Sequence, residues 1–202
     1  MDSERLLYDA TKTAFASAGA GLAREQWARW YLGEGKRSRE IAEMAGVPHS
    51  RIEPTLTERD RLFHARIDEG VPVFPGVLET IERLARRFRL AVVTGASRGH
   101  FERVHSSTGL LRFFEAVITC DDYETVKPHP GVYIKAMRRL ALNPKECLAV
   151  EDSPRGAAAA VAAGIRCVVI PTDLTDVSMC PAGCAIIEDI RRLSRLLEEG
   201  EA

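Results

Sequence analysis

From residue 76 onward the chain alternates short apolar runs with amphipathic ones, a pattern that few folds accommodate. Leu90-Ala91-Val92-Val93, Ala116-Val117-Ile118, Cys147 to Val150, Cys167 to Ile170 and Cys184-Ala185-Ile186-Ile187 read as strands. Helical patterns stand around them over Val77 to Phe88, about 98 to 109, 131 to 141, 154 to 163 and near 189 to 198. Strands that are apolar on both faces and separated by helices predict an α/β, Rossmann-like core, a parallel sheet covered by helices on both faces.

Residues 3 to roughly 69 follow a different grammar, with no convincing strand. Leu6, Leu7, Ala10, Ala14 and Phe15 recur at helical spacing until Gly19-Ala20-Gly21. Trp27, Trp30 and Tyr31 form a second stripe, ended by Gly33-Glu34-Gly35, and read as core packing rather than a ligand box. Ile41 and Met44 mark a third helix, and a fourth starts near Pro48 and carries Ile52, Leu56, Leu62, Phe63 and Ile67. Gly70-Val71-Pro72-Val73-Phe74-Pro75-Gly76 is the hinge-like join. The expected organisation is an all-helical domain over 1–70 and an α/β domain over 71–202.

Charge excludes some partners. Lys and Arg number 28 against 29 Asp and Glu, a net charge of -1, so no basic field favours nucleic acid. No apolar run is long enough to cross a bilayer and no basic-then-apolar leader opens the chain, so a cytoplasmic protein is expected. Of the five cysteines, those at 120, 147 and 167 lie in or beside strand-like runs as small hydrophobes. Cys180 and Cys184, flanking Pro181 and Gly183, could approach each other but lack the second pair a zinc site needs.

Three strand ends carry polar groups. After Val93 come Thr94, Gly95 and Ala96, offering a hydroxyl and backbone N–H groups to an anion. After the second strand, Lys127 stands in Lys127-Pro128-His129-Pro130, able to neutralise phosphate and acid charge together. His129, between prolines, reads as a turn residue, and His49, His64, His100 and His105 as surface or satisfied. After Val150 come Glu151 and Asp152, then Ser153 as a helix N-cap and Pro154 as the first helical residue. Adjacent acids at the carboxyl end of a parallel strand are unfavourable unless a cation neutralises them, which predicts half of a magnesium site.

In this order, hydroxyl, lysine and acid pair resemble the haloacid dehalogenase-like hydrolase superfamily. The branch with β-phosphoglucomutase and small sugar-phosphate phosphatases is the most similar. Thr94 matches the family's second motif, Lys127 its third and Glu151-Asp152 its fourth, and the helical first half is similar to its cap domain. The resemblance implies a Mg²⁺-dependent phosphatase, or a mutase, acting on a small phosphorylated metabolite, as a monomer or homodimer. Asp152 would be the direct metal ligand and Glu151 a second or water-mediated one. Thr94 and Lys127 would be the catalytic grip on phosphate, with Gly95 and Ala96 beside them.

The family's first motif, an apolar strand ending in Asp-x-Asp that supplies the nucleophile, has no match. Asp2-Ser3-Glu4 matches the residues that follow it, and Asp121-Asp122 has the wrong spacing. Without the nucleophile, turnover is expected to fall by on the order of 10⁶. The family's central first strand would also be missing, leaving its neighbours unpaired. The leading expectation is a start codon placed too late or a trimmed chain. A catalytically silent phosphate-binding or regulatory protein is the alternative, with strand donation by a partner chain or a rearranged sheet beyond that. A remote reading takes Ser38 to Ile52 as a DNA-binding helix-turn-helix, but Glu40, Glu43, Glu53 and Glu58 dilute its basic residues. Which of Arg24, Arg29, Arg37 or Trp27 face the site stays open.

Overall fold

The computed structural model describes residues 1–199. Its helical part holds α1 (Ser3–Ser17), α2 (Arg24–Trp27), α3 (Ser38–Met44) and α4 (Ile52–Asp68), with α1 packed along α4. Phe15, Trp27, Ile41 and Ile52 form its core, each at most 1% exposed. Two details depart from the sequence reading. Met44 ends α3 but is 46% exposed, because Ile41 and Ala42 supply that helix's inward face. Residues Ala28–Gly33 continue α2 as a π-helical turn, in which the Glu34 amide reaches back to the Arg29 carbonyl at 2.8 Å.

The join to the second half is pinned where the Asp2 amide donates to the Pro72 carbonyl, 3.2 Å away. Gly76 follows with φ +78°, and a Cβ there would lie 2.5 Å from Cγ of Arg191, so the position suits glycine alone. The alternation then runs α5 (Val77–Ala85), β1 (Ala91–Val93), α6 (Arg98–His105), β2 (Ala116–Ile118) and α7 (Gly131–Leu140). It continues through β3 (Leu148–Glu151), α8 (Pro154–Ala162), β4 (Arg166–Val169), β5 (Ala185–Ile186) and α9 (Arg191–Glu199). Each expected element is present, though α5 and α6 stop three or four residues early at tight turns. Ser153 caps α8 and Pro154 opens it.

All strand pairs are parallel, but among the described residues they form two sheets. β1 pairs with β2 in the register Val92↔Val117, while β3, β4 and β5 pair side by side, with Val150↔Val168 and Val168↔Ala185. No ladder joins β1 to β3. Helices span the division: α7 packs on β1 and β2, α8 on β3 and β4, and the two helices on each other. Ala157, Ala159 and Ala160 are fully buried, and these small side chains let α8 approach both. Val92, Val93 and Val150 line a cavity of about 950 Å³ that extends from between the sheets toward the helical half. The architecture is α/β with a helical layer over the strands' carboxyl ends. No helix among the described residues is long and apolar enough to cross a membrane.

Candidate active site

The cavity brings together every residue proposed from the strand ends: Thr94, Gly95, Ala96, Lys127, Glu151 and Asp152 all line it. Thr94 is fixed at the end of β1 because its amide donates to the Ile118 carbonyl at 2.9 Å, extending the β1–β2 ladder by one rung. Its hydroxyl oxygen accepts from the Ala96 amide at 3.1 Å, and its carbonyl accepts from the Tyr123 hydroxyl at 3.1 Å. The chain then turns at exposed Gly95 into α6, whose cap Ser97 accepts from the His100 amide at 3.4 Å. The Ala96 amide is thus already engaged by Thr94.

Glu151 belongs to β3 rather than to the loop after it, paired with Val169, and is only 7% exposed. A carboxylate so buried needs partners. Lys127 supplies the first, its Nζ 2.5 Å from Oε1, and the Tyr133 hydroxyl donates to the same oxygen. Ser153 donates to Oε2 at 3.5 Å. Burial together with Glu151 drives the Tyr133 hydroxyl's pKa far above its ordinary value, so it stays a donor. Lys127 also donates to the Val93 carbonyl at 3.3 Å, so one ammonium ties the end of β1 to the end of β3. Gly156 is required by this packing: a Cβ there would fall 1.9 Å from Oε2 of Glu151.

Asp152 differs from its neighbour. It is accessible to water within the cavity although protein surrounds it, and its carboxylate hydrogen-bonds to no side chain among the described residues. Burial first, then the charge of Glu151, holds its pKa above the ordinary carboxylate value, partly opposed by Lys127. An under-neutralised, water-accessible carboxylate of hard oxygens suits Mg²⁺, so Asp152 fits the ligand role. Among the described residues no three His, Cys, Asp or Glu side chains cluster tightly enough to enclose a metal.

Side chains beyond the strand ends also line or back the cavity, most of them from the helical half. Glu4 accepts from Nε1 of Trp27 at 2.9 Å, and burial raises its pKa to about 7. Trp27, 1% exposed, lies behind the wall and stacks on Tyr31 with centroids 4.3 Å apart. Tyr31, Ser38, Arg59 and Asp60 line the cavity, with Arg59 donating to Ser38 Oγ at 2.6 Å and to Asp60 at 2.9 Å. Arg24, Arg29 and Arg37 are not among the lining residues. Opposite stands Arg155, whose guanidinium lies 4.3 Å from the Tyr31 ring centre. His100 also lines the cavity, with Nε2 hydrogen-bonded to Nε2 of His64 at 2.8 Å across the two halves. Sequence signals for these residues were partial: the aromatic stripe with Trp27 and Tyr31 packs as core on one side and faces the cavity on the other, Glu4 lies in the Asp2-Ser3-Glu4 match, and His100 and His105, read as surface or satisfied, line the cavity.

The remaining candidates are structural. His129 accepts from the Gly131 amide at 3.1 Å in its turn. Asp121 and Asp122 hold Arg98, and all five cysteines are free thiols. The Ser38 to Ile52 segment does form two helices around a turn, but Arg39 is paired with Glu43 and Glu53, and Arg51 donates to the Ser17 carbonyl at 3.0 Å.

The strand-end hydroxyl, lysine and acid pair, set under a helical layer, are the combination that resembles the haloacid dehalogenase-like hydrolases. The haloacid dehalogenase-like hydrolase family matches residues 1–170. The chain belongs to that family. It is 32% identical over 187 residues to the Bacillus subtilis protein named "Putative phosphatase YhcW", covering 89% of this chain and 82% of that one. CbbY of Rhodobacter capsulatus is 38% identical over 109 residues, 52% of this chain and 48% of CbbY, so that match spans about half of the relative. The solved structure of Rhodobacter sphaeroides CbbY in complex with phosphate superposes with a TM-score of 0.76 at 25% identity, over 95% of this chain and 90% of that one.

Proposed function

We propose that the protein is a phosphatase for a small phosphorylated metabolite, with Mg²⁺ as cofactor. One observation carries this: groups from three separate strand ends, Thr94, Lys127 and Asp152, line a single cavity. Thr94's hydroxyl and the Gly95 turn would orient a phosphoryl oxygen, while Lys127, held by Glu151, supplies a fixed positive charge beside it. Arg59 adds a cation on the helical side, suited to a second polar or anionic part of the metabolite. Asp152 would hold the Mg²⁺, whose contribution when bound is to neutralise phosphoryl charge. The helical layer would cover the metabolite bound at the strands' carboxyl ends. The phosphatase name of YhcW and the phosphate bound by CbbY support the same chemistry.

A phosphate-binding protein without turnover is the second reading. It is favoured by the aspartates that line the cavity, Asp60, Asp152 and Asp189, none of which stands in the Asp-x-Asp pattern that supplies the family's nucleophile. One assay separates the two: hydrolysis of p-nitrophenyl phosphate by the 202-residue chain with Mg²⁺. Magnesium-dependent turnover that disappears in Asp152→Ala establishes the phosphatase. Saturable phosphate binding without turnover, persisting after an apolar strand ending in Asp-x-Asp is added ahead of Asp2, establishes the second reading; turnover that appears only with that strand supports the phosphatase, and absence of both binding and turnover contradicts the site itself.

A further inference from the structure

Away from the candidate active site, the sheet brings thiols together. Val168 of β4 and Ala185 of β5 are paired in register, and both pack in the core on one face of that sheet. One residue earlier in each segment, Cys167 and Cys184 turn to the other face, where both pack against the core built on α7 and α8. The two cysteines are therefore cross-strand neighbours on one face. Neighbouring parallel strands stand about 4.8 Å apart, inside the window of roughly 4.4–6.8 Å between Cα atoms over which a disulfide closes. Cys180 reaches the same core from beyond the Pro181-to-Gly183 turn. Burial first and Cys184 second raise the pKa of both Cys167 and Cys180, so Cys184 is the thiol that the other two share. Cys167 is 5% exposed, whereas Cys184 is half-buried and open to a small reagent.

We propose that Cys167 and Cys184 form a redox-modification site, a dithiol that a low-molecular-weight disulfide converts reversibly to a Cys167–Cys184 disulfide. The Cys184 thiolate attacks one sulfur of the reagent, breaking its S–S bond and releasing one thiolate. Cys167 then gives up its proton and attacks Sγ of Cys184, breaking the mixed disulfide and releasing the second thiolate. Two protein thiols are oxidised by two electrons, and the reagent, which takes up both protons, is reduced to two thiols. The bond closes the segment between β4 and β5 into a loop. That segment holds the Asp152 carbonyl through Thr175 Oγ1 at 2.6 Å, pairs Asp173 with Arg5 at 2.7 Å and buries Leu174 in the helical core. Oxidation thus fixes the foot of a strap between the two halves, and neither phosphate nor metal takes part.

The probe is oxidised glutathione, added to the full chain, which is then alkylated and its cross-linked peptides mapped by mass spectrometry. The parent should lose two titratable thiols, carry a Cys167–Cys184 cross-link and melt roughly 5–10 °C higher, all reversed by dithiothreitol. Cys184→Ser should lose both the cross-link and the shift. Cys167→Ala should stop at glutathione held on Cys184. Cys180→Ser and Cys147→Ser should behave as the parent; Cys147 packs on the same core, but the β3–β4 register sets it opposite Ile165 rather than a thiol. A Cys180–Cys184 bond in the parent, glutathione that stays on Cys184 there, or a cross-link that forms only in urea would overturn the proposal. Should Cys167→Ala fail to fold, the bond maps of the parent and of Cys184→Ser decide the question.

Discussion

Val168 and Val169 in β4 are 1% and 0% exposed, whereas Val92 and Val93 in β1, the same residue in the same kind of parallel strand, are only half-buried. β4 has a hydrogen-bonded neighbour on each side and α8 against it. β1 has one neighbour, and its other edge borders the cavity. Burial of a strand is therefore set by what lies on both of its edges, and an apolar run alone reports only half of that. The open edge is also where Thr94, Lys127 and Asp152 meet, so the candidate site lies where the two sheets face each other without a ladder rather than on either sheet alone.

The largest test of this contrast strikes the tie between the sheets. Lys127→Met should destabilise the protein by about 3–5 kcal/mol in urea unfolding, because it strands a buried carboxylate. Adding Glu151→Gln should recover part of that loss. A loss below about 1 kcal/mol would mean that Lys127 does not bridge β1 and β3.

Next, Val169→Ala should cost about 2 kcal/mol and Val93→Ala less than about 1 kcal/mol, from lost burial and the cavity left behind. Equal costs would erase the distinction between the sheets.

Glu4 on the opposite wall gives a pH-dependent effect. Its folded pKa of about 7 lies above the ordinary value of 4.5, so the folded state binds the proton more tightly. Stability should be complete below about pH 4.5 and decline as pH rises through 7. In the metal-free protein, Glu4→Gln should be more stable than the parent by about 1–2 kcal/mol at pH 8, with the difference gone by pH 4. A constant difference across that range would show that burial does not act on Glu4.

The smallest effect belongs to the histidine contact across the halves. Burial first, then His64, holds the His100 pKa below its ordinary value of 6.5. Its contribution is present above that pH and is lost as pH falls through the lower folded value, by less than about 1 kcal/mol. His100→Phe should flatten the melting temperature between pH 7 and 5, and an unchanged slope would show that His100 does not titrate with folding.

Much of the framework was legible in the sequence, for physical reasons. Strand positions followed from short apolar runs, and the start of α8 from Ser153-Pro154, since capping and a fixed φ are local properties. That Thr94, Lys127 and Asp152 line one cavity was foreshadowed locally for two of them, which directly follow strands, while Lys127 was read from its proline-rich loop. Glu151 was visible as an acid, but its membership of β3 and its bond with Tyr133 depend on residues far along the chain. Tyr31, Arg59, His100 and Arg155 reach the cavity only through packing of the helical half on the strands, which no spacing encodes. The exposed Met44 and the π-helical turn are tertiary outcomes of the same kind.

The most direct measurement is amide NMR of the full chain titrated with inorganic phosphate in the presence of Mg²⁺. The account predicts that Gly95, Ala96, Lys127 and Asp152 shift together along one saturable curve, and that Lys127→Met abolishes it. Shifts scattered over the surface, or a curve that reaches Gly95 without Asp152, would contradict a single pocket.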